Sequence, residues 1–144
     1  MTREFSAGGI VYKKVGNQLY WLICQHSQHK GWVFPKGLIG DNIKGEKSEQ
    51  TALREVKEET GLDGKIIVKL KNPVTYWYVW KGDKRFKTVN YFLMEYIGGD
   101  IKDHDHEMSA VEWLPTDEVA QRLTYKSDKI AFNEALKLFK NLPS

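Results

Sequence analysis

The sequence has little of several features that would mark special classes of protein. It contains one cysteine, Cys24, which excludes an internal disulfide and favours a reducing compartment. No run approaches the roughly 18 apolar residues of a membrane-spanning helix, and the first residues lack the apolar segment of a secretory leader. We therefore expect a cytoplasmic protein in which Cys24, within "YWLIC", is a core residue.

The sequence also lacks a strong net charge and any internal division. A formal charge of +3 is too small to indicate, by itself, binding to nucleic acid or to an anionic membrane. An apolar content of 41% with 28% charged residues is typical of a folded protein, which excludes a disordered chain. No repeat or low-complexity segment interrupts the 144 residues, so we expect a single domain over residues 1–144.

Short β-branched and aromatic runs predict the strands. "SAGGIVYKK" and "LYWLICQHS" flank Gly16-Asn17, which indicates a hairpin, and "VTYWYVW" and "RFKTVNYFLMEYI" flank "KGDK", whose Gly-Asp pair indicates another. Further extended segments are "GWVFPKG", "KIIVKL" and "AVEWLP". Most predicted strands are therefore neighbours in sequence.

Helices are predicted in the middle and at the end of the chain. Ser48 is a candidate N-cap of a helix that Gly61 ends, and Thr116 or Asp117 is a candidate cap for "DEVAQRL". The last helix is indicated by apolar residues at helical spacing: Ile130, Ala131, Ala135, Leu138 and Leu142. Strands in series with helices between and after them favour an α/β fold in which helices cover a mixed sheet.

The segment "REVKEETG" places three carboxylates on one face of the middle helix. Glu55, Glu58 and Glu59 are spaced three and four residues apart or adjacent, so they repel one another, and near a helix C-terminus they also oppose the helix dipole. A bound Mg²⁺ would offset this repulsion, because it takes oxygen ligands and often bridges carboxylates to phosphates. The alternative is a solvated helix face.

The segment around these glutamates resembles a known family. "GDNIKGEKSEQTALREVKEETGL", Gly40 to Leu62, agrees at every fixed position with the signature of the Nudix hydrolases, G-x5-E-x7-R-E-U-x-E-E-x-G-U, where U is aliphatic. The match covers 23 of 144 residues. The resemblance implies an α/β/α sandwich around a mixed sheet, and Mg²⁺- or Mn²⁺-dependent hydrolysis of a nucleoside diphosphate linked to a further group.

The resemblance also implies roles for particular residues. It assigns metal ligation to Glu55, Glu58 and Glu59. Arg54 would orient these carboxylates through an ion pair with Glu46, and Glu107, in "KDHDHEMSAVEWL", would be a further ligand or the general base. On the helix, Glu58 is the first choice for the base, because a base must hold or deprotonate the attacking water.

The loop before the helix departs from the usual family pattern. In the family the first glycine of the signature follows the strand directly, as in Pro-Lys-Gly, whereas here "PKG" ends at Gly37 and the signature begins at Gly40. The loop is therefore three residues longer (Gly40 against Gly37). Whether a backbone carbonyl near Lys36 or Gly37 still reaches a metal stays open at this point.

A zinc site is a competing interpretation of "DHDH". His104 and His106 imitate a zinc-binding pair, but two histidines without further Cys or His partners make an incomplete site. Solvation of the loop is the simpler alternative for these side chains and for Glu107.

Basic and aromatic residues bear on the substrate. A polyphosphate would be suited by Lys36 and by a cluster that comprises Lys81, Lys84, Arg85 and Lys87. Tyr76 and Tyr78 share one face of a strand and Trp77 and Val79 the other, so one set is core and the exposed set could stack on a purine. Ordinary solvated hairpin charge is the alternative for the lysines.

These stretches resemble the dinucleoside polyphosphate hydrolase branch of the Nudix family, which implies asymmetric cleavage of diadenosine tetraphosphate to ATP and AMP. The expected substrate-binding residues are Lys36, Gly37, Tyr76, Lys87 and Tyr91. Three alternatives stay open: removal of pyrophosphate from RNA 5′ ends, hydrolysis of oxidised nucleoside triphosphates, and a nucleotide-binding sensor without turnover.

Overall fold

The computed structural model describes residues 1–40 and 43–143. Asp41 and Asn42, which belong to the long loop of the signature, and Ser144 lie outside the described residues. The strands are β1 (Thr2–Val15), β2 (Gln18–His26), β3 (Trp32–Val33), β4 (Lys36–Leu38), β5 (Leu62–Lys69), β6 (Val74–Trp80), β7 (Asp83–Gly99) and β8 (Met108–Pro115). The helices are α1 (Ser48–Thr60), α2 (Thr116–Arg122) and α3 (Lys126–Lys140), and a single 3-10 turn spans Ile101–Asp103.

The sheet is mixed, as predicted, and β1 is its centre. β1 runs parallel to β7 along most of its length, and its last residues, Tyr12–Val15, pair antiparallel with β2. Nearer its start β1 leaves β2, and Ser6–Gly8 pair instead with β4. β7 carries β5 and β6 on its other side, and β2 carries β3 and β8. The divergence of β1 and β2 opens the sheet at one end.

Helices cover both faces of this sheet, which confirms the expected α/β/α arrangement. On one face Val56 of α1 belongs to the same buried cluster as Ala7 of β1, and Cys24 is also buried there. On the other face Phe132 of α3 packs edge-on against Trp21, with 5.1 Å between the ring centroids. Measured by length and apolarity, none of the helices in residues 1–40 and 43–143 could cross a lipid bilayer.

The predicted helix caps are wrong by one residue. Lys47, not Ser48, is the N-cap of α1, because its backbone N–H donates to the Gln50 side chain at 3.0 Å. The Ser48 hydroxyl, which lies inside the helix, donates to Glu49 instead. α2 likewise begins at Thr116 after Pro115, whose fixed φ of −64° suits the residue before a helix.

The two predicted hairpins are present, with a shift in the second turn. Gly16-Asn17 connects β1 and β2 as expected. In "KGDK" the turn residues are Lys81 and Gly82, with φ of 48° and 78°, while Asp83 already pairs with Trp80. Two central residues at positive φ match the twist of the flanking strands, so the turn falls one residue earlier than the Gly-Asp pair indicated.

Gly61 ends α1 as the sequence predicts. It has φ 81°, and its N–H donates to the Lys57 carbonyl, which closes the last turn. A Cβ at this position would lie 2.2 Å from the Asp100 carbonyl oxygen. Glycine is therefore needed twice, for the left-handed backbone and for the close approach of the chain before the 3-10 turn.

Replacing Gly61 by alanine should destabilise the fold more than replacing Gly16. Gly16→Ala meets only the left-handed backbone, since nothing lies within 4 Å of its Cβ, and should lower the free energy of unfolding by about 1–2 kcal/mol. Gly61→Ala adds overpacking, which costs about 1–3 kcal/mol more. Urea unfolding of the two variants and the wild type measures both values. Equal losses would show that the contact with Asp100 is not tight.

Candidate active site

The backbone of β4 lies directly against the carboxylates of α1. The Lys36 N–H donates to Glu59 Oε1 at 3.3 Å. A Cβ on Gly37 would lie 2.1 Å from the Glu55 carboxyl carbon, so only glycine allows this approach. The longer loop therefore does not move "PKG" away from the glutamates. Metal binding by a carbonyl of this segment stays a prediction.

Arg54 holds three glutamates in fixed positions. It forms the predicted ion pair with Glu46 in a bidentate geometry, with Nε–Oε2 of 2.7 Å and Nη2–Oε1 of 2.9 Å. Its Nη1 reaches Glu55 at 2.9 Å and Glu58 at 3.1 Å. Glu46 also accepts the Thr51 hydroxyl at 2.7 Å, and these bonds hold its pKa at about 2. The charged form of Glu46 thus anchors Arg54 at the helix.

Glu55 and Glu59 form a buried carboxyl pair. Their relative exposures are 7% and 3%, and the two carboxyl groups contact each other. Burial raises the pKa of both, and the contact with Glu55 raises the pKa of Glu59 further. Two buried acidic oxygen groups with Lys36 as the nearby cation suit a hard divalent ion, which stabilises their charged forms.

Glu58 lies apart from this pair. Its side chain is 43% exposed and is held by Arg54, so the three predicted ligands on α1 are divided between a buried pair and an exposed partner. Within residues 1–40 and 43–143, no three His, Cys, Asp or Glu side chains are grouped as a metal site. In the loop with "DHDH", His104 Nδ1 lies 2.7 Å from the Asp105 carbonyl oxygen.

A cavity of about 630 Å³ opens beside the buried pair. It is bounded by Glu59 and by five of the predicted site residues: Lys36, Gly37, Tyr76, Lys87 and Glu107. The opening of the sheet between β1 and β2 creates this cavity, and the first turn of α3 forms its opposite wall. The structure therefore brings together carboxylates, two lysines and aromatic rings around one cavity.

The lysine and tyrosine side chains of the cavity are strongly influenced by burial. Burial, and the nearby charge of Lys36, lower the pKa of Lys87. Burial and the charge of Asp128 raise the pKa of Tyr76 to about 12, so its hydroxyl stays protonated. The Tyr78 hydroxyl donates to Glu4, which orients this ring on the same face as Tyr76. Two cations beside neutral aromatic rings suit a ligand with both phosphates and a base.

Tyr91 is not among the residues that line the cavity, and its direct contact with substrate stays a prediction. The residue is 2% exposed, and its ring packs edge-on against Phe34 with 5.9 Å between centroids. It pairs with Gly8 in the middle of the sheet, where the side chain is covered. Tyr91 supports the cavity wall from within the core.

Sequence reasoning missed several residues of the cavity, among them His26, His29, Tyr125 and Asp128. His26 and His29 stack at 4.2 Å with an interplanar angle of 10°, and burial lowers the pKa of both. Their signal was the pair of histidines in "QHSQHK" just before "GWVFPKG". Asp128 is 5% exposed in the first turn of a helix whose apolar spacing indicated packing alone.

Comparisons with curated proteins bear on the family. The model of the NUDIX domain family matches residues 2–136. The mutator-type protein MutT4 of Mycobacterium tuberculosis is 40% identical over 147 residues, which cover 98% of this chain and 58% of that protein. This chain thus spans less than two thirds of that relative. The asymmetrical bis(5′-nucleosyl)-tetraphosphatase of Sus scrofa is 35% identical over 112 residues, or 72% of this chain and 68% of that protein.

Solved structures show the same fold. The binary complex of the Caenorhabditis elegans Ap4A hydrolase superposes with a TM-score of 0.78 at 24% identity, covering 96% of this chain and 99% of that one. The NUDIX domain of Shewanella oneidensis NrtR in complex with ADP ribose gives a TM-score of 0.74 at 23% identity, covering 96% and 90%. At these identities the likeness concerns the fold alone.

The Glu46 ion pair should make stability depend on acid pH. Its pKa falls from about 4.5 when unfolded to about 2 when folded, so the charged form contributes up to about 3 kcal/mol above pH 4.5, which is lost as the pH falls to 2. Glu46→Gln should therefore be less stable than the wild type at pH 7, and the difference should shrink below pH 4.5. Glu49→Gln, on the exposed side of α1, is the control. Unfolding free energies from pH 7 to pH 3 measure this, and a constant difference would contradict it.

Proposed function

The chain belongs to the Nudix hydrolase family, and we propose that it is the member that hydrolyses dinucleoside polyphosphates, cleaving diadenosine tetraphosphate asymmetrically to ATP and AMP. The observation that carries this proposal is the cavity, in which Lys36 and Lys87 lie between the buried Glu55–Glu59 pair and the Tyr76 ring. Such an order of groups suits a ligand with a base at one end and several phosphates leading to the carboxylates.

The carboxylates suit a divalent ion, Mg²⁺ or Mn²⁺. Glu55 and Glu59 would hold it, with Glu58 or Glu107 completing the oxygen ligands. When bound, such an ion neutralises phosphate oxygens and acidifies a water molecule. Arg54 fixes the carboxylates in place, because its guanidinium bonds Glu46 on one side and Glu55 on the other.

The remaining side chains bind and orient the substrate. Lys36 and Lys87 neutralise phosphate charge, and Tyr76 offers a ring face on which a purine base stacks. The buried Asp128 carboxyl group borders the cavity and would accept a hydrogen bond from an amino group on the base.

Two glutamates are candidates for the general base that takes a proton from the attacking water. Glu58 is held by Arg54 on the exposed side of α1, whereas Glu107 lines the cavity on the same side as Glu59. The position of Glu107 makes it the better candidate, because a base must reach the water within hydrogen-bond distance. Lower kcat in Glu107→Gln than in Glu58→Gln would support this order.

A substrate panel tests the proposal. With Mg²⁺, the protein should turn over diadenosine tetraphosphate faster than 5′-triphosphorylated RNA or oxidised guanine nucleoside triphosphates, and chromatography should resolve ATP and AMP as the products. Cleavage in heavy-oxygen water identifies the phosphorus that is attacked. Preferred turnover of RNA or of oxidised nucleotides would replace the proposed substrate.

The control for this panel is Glu59→Gln, which should lose turnover because it removes one carboxylate of the buried pair. Binding of nucleotide by the wild type without turnover of any substrate would support the sensor alternative. The intact set of Glu55, Glu58 and Glu59 argues against that alternative.

Lys87→Ala should raise KM for diadenosine tetraphosphate about tenfold or more, since it removes a half-buried cation from the phosphate side of the cavity. Lys81→Asn is the matched control: it removes a lysine of the same hairpin outside the cavity, and asparagine tolerates the φ of 48°. Steady-state kinetics of both variants measure the effect. An unchanged KM in Lys87→Ala would leave the basic hairpin as ordinary solvated surface.

A further inference from the structure

An acidic side chain, Glu4, lies next to Lys87 but does not border the cavity. Glu4 belongs to β1, where it pairs with Lys87 of β7, so the two side chains share one face of the sheet. The Glu4 side chain is 10% exposed, because its neighbours cover it. Lys87 and Tyr78 are among the residues that border the cavity, whereas Glu4 is not. Glu4 is therefore placed behind the side chains that face a ligand.

Glu4 holds two side chains from neighbouring strands. Its Oε1 accepts the hydroxyl of Tyr78 from β6, and its Oε2 accepts the guanidinium of Arg85 from β7, with Nη1–Oε2 of 3.1 Å. Because β6 pairs with β7 and β7 pairs with β1, Tyr78 reaches Glu4 across the intervening strand. The Tyr78 ring therefore lies over β7, and Glu4 fixes its hydroxyl end.

The Tyr78 ring contacts two residues that the proposed function uses. The Lys87 Nζ lies over it, 5.4 Å from the ring centroid, a distance at which a cation is attracted to an aromatic face. The Tyr76 ring lies 6.2 Å from it, centroid to centroid. Tyr78 thus connects Glu4 with the lysine proposed to bind phosphate and with the ring proposed to stack on the base.

The charge of Glu4 also acts on Lys87 directly. Charged and titratable groups lie near Lys87 on the neighbouring strands and on α1: Lys36, Glu4, Glu59, Arg85, Tyr76 and Tyr78. Burial lowers the pKa of Lys87, and the cations Lys36 and Arg85 lower it further, whereas the two glutamates raise it. Both tyrosine hydroxyls have a pKa of about 12 and stay neutral. The charge of Glu4 therefore helps Lys87 keep its proton.

We propose that Glu4 is a positioning residue for phosphate binding: by holding the Tyr78 hydroxyl it fixes the ring against which the Lys87 ammonium group lies in the cavity. The inference rests on the proposed function, in which Lys87 binds a substrate phosphate. Glu4 does not touch the ligand, since its carboxylate is covered and bonded to Tyr78 and Arg85. Arg85 balances its charge, so an acidic residue can support an anion-binding site without repelling the anion.

A double-mutant cycle tests whether Glu4 acts through Tyr78. The probe is adenosine 5′-tetraphosphate, and calorimetry at pH 7 without divalent ions measures its affinity. Glu4→Ala and Tyr78→Phe should each weaken binding about fivefold, the effect of one lost hydrogen bond. Because both changes remove the same contact, the double variant should bind as Glu4→Ala does, not about 25-fold more weakly than the wild type. Losses that multiply would overturn the proposal.

The pH dependence of binding distinguishes positioning from a purely structural role. Glu4→Gln keeps the size of the side chain and removes its charge, so Lys87 should lose its proton at lower pH. Between pH 7 and pH 10, affinity for the tetraphosphate should therefore fall at lower pH in Glu4→Gln than in the wild type. In a Lys87→Ala background the same change should not move the midpoint. Thermal melting checks that each variant folds, and an unmoved midpoint in Glu4→Gln would contradict the inference.

Asp83→Asn is the matched control. Asp83 is a second acidic partner of Arg85, with Oδ2 3.2 Å from its Nε, but the Tyr78 hydroxyl donates to Glu4. Asp83→Asn should therefore bind the tetraphosphate as the wild type does, with the same midpoint. Equal weakening in Asp83→Asn and Glu4→Ala would overturn the proposal, because the effect would then belong to the charge around Arg85.

Turnover is assayed separately, so the two proposals fail differently. If the wild type hydrolyses no dinucleotide yet the cycle and the midpoint behave as expected, the proposed function is wrong and Glu4 still positions Lys87 in a nucleotide site. If hydrolysis proceeds and Glu4→Ala binds the tetraphosphate as the wild type does, only the inference about Glu4 fails. Unchanged binding in Lys87→Ala would overturn the phosphate role of Lys87 and this inference with it.

Discussion

The contact between the β4 backbone and the inner side of α1 determines the rest of the site. Gly37 touches the Glu55 carboxyl group, and the Lys36 N–H donates to Glu59. β4 can occupy this position only because β1 leaves β2 after their short antiparallel pairing and takes β4 as its partner. The same divergence opens the cavity beside the glutamates, so carboxylates and binding surface have one structural origin.

The site combines groups that would be costly to bury separately. The Glu55–Glu59 pair has raised pKa values, whereas the pKa of Glu46 on the same network is about 2. Arg54 makes the difference, because it neutralises Glu46 fully and reaches the buried pair only through Glu55. Glu46 is therefore held in its charged form and supports Arg54. The charged forms of the buried Glu55–Glu59 pair, in contrast, would be stabilised by a further cation.

Much of the fold follows from local sequence patterns. Alternating strands, Gly16-Asn17 and Gly61 each predict a feature that the structure contains, because turn and cap geometry depend on neighbouring residues. The start of α1 was misassigned by one residue, since the Gln50 side chain accepts the Lys47 N–H and Ser48 lies inside the helix. That competition between nearby side chains is not visible in the spacing alone.

The cavity was harder to predict than the helix that carries the glutamates. Arg54 and its partners all lie within residues 46–58, so a short motif contains them. The burial of Tyr91 could not be foreseen, because whether a strand residue faces a cavity or the core depends on which strands adjoin it. The stacked histidines and Asp128 come together only when the β2–β3 turn meets the start of α3.

The parallel pairing of β1 with β7 has a consequence for how the molecule folds. Thr2 is aligned with Arg85 and Tyr12 with Glu95, so the central pair of the sheet joins segments that are distant along the chain. Closing such a long loop costs chain entropy before the contacts are gained. The pairing of β1 with β7 is therefore expected to form more slowly than a hairpin. The β1–β2 and β6–β7 hairpins are local pairings, whereas the cleft depends on the long-range pairing of β1 with β7.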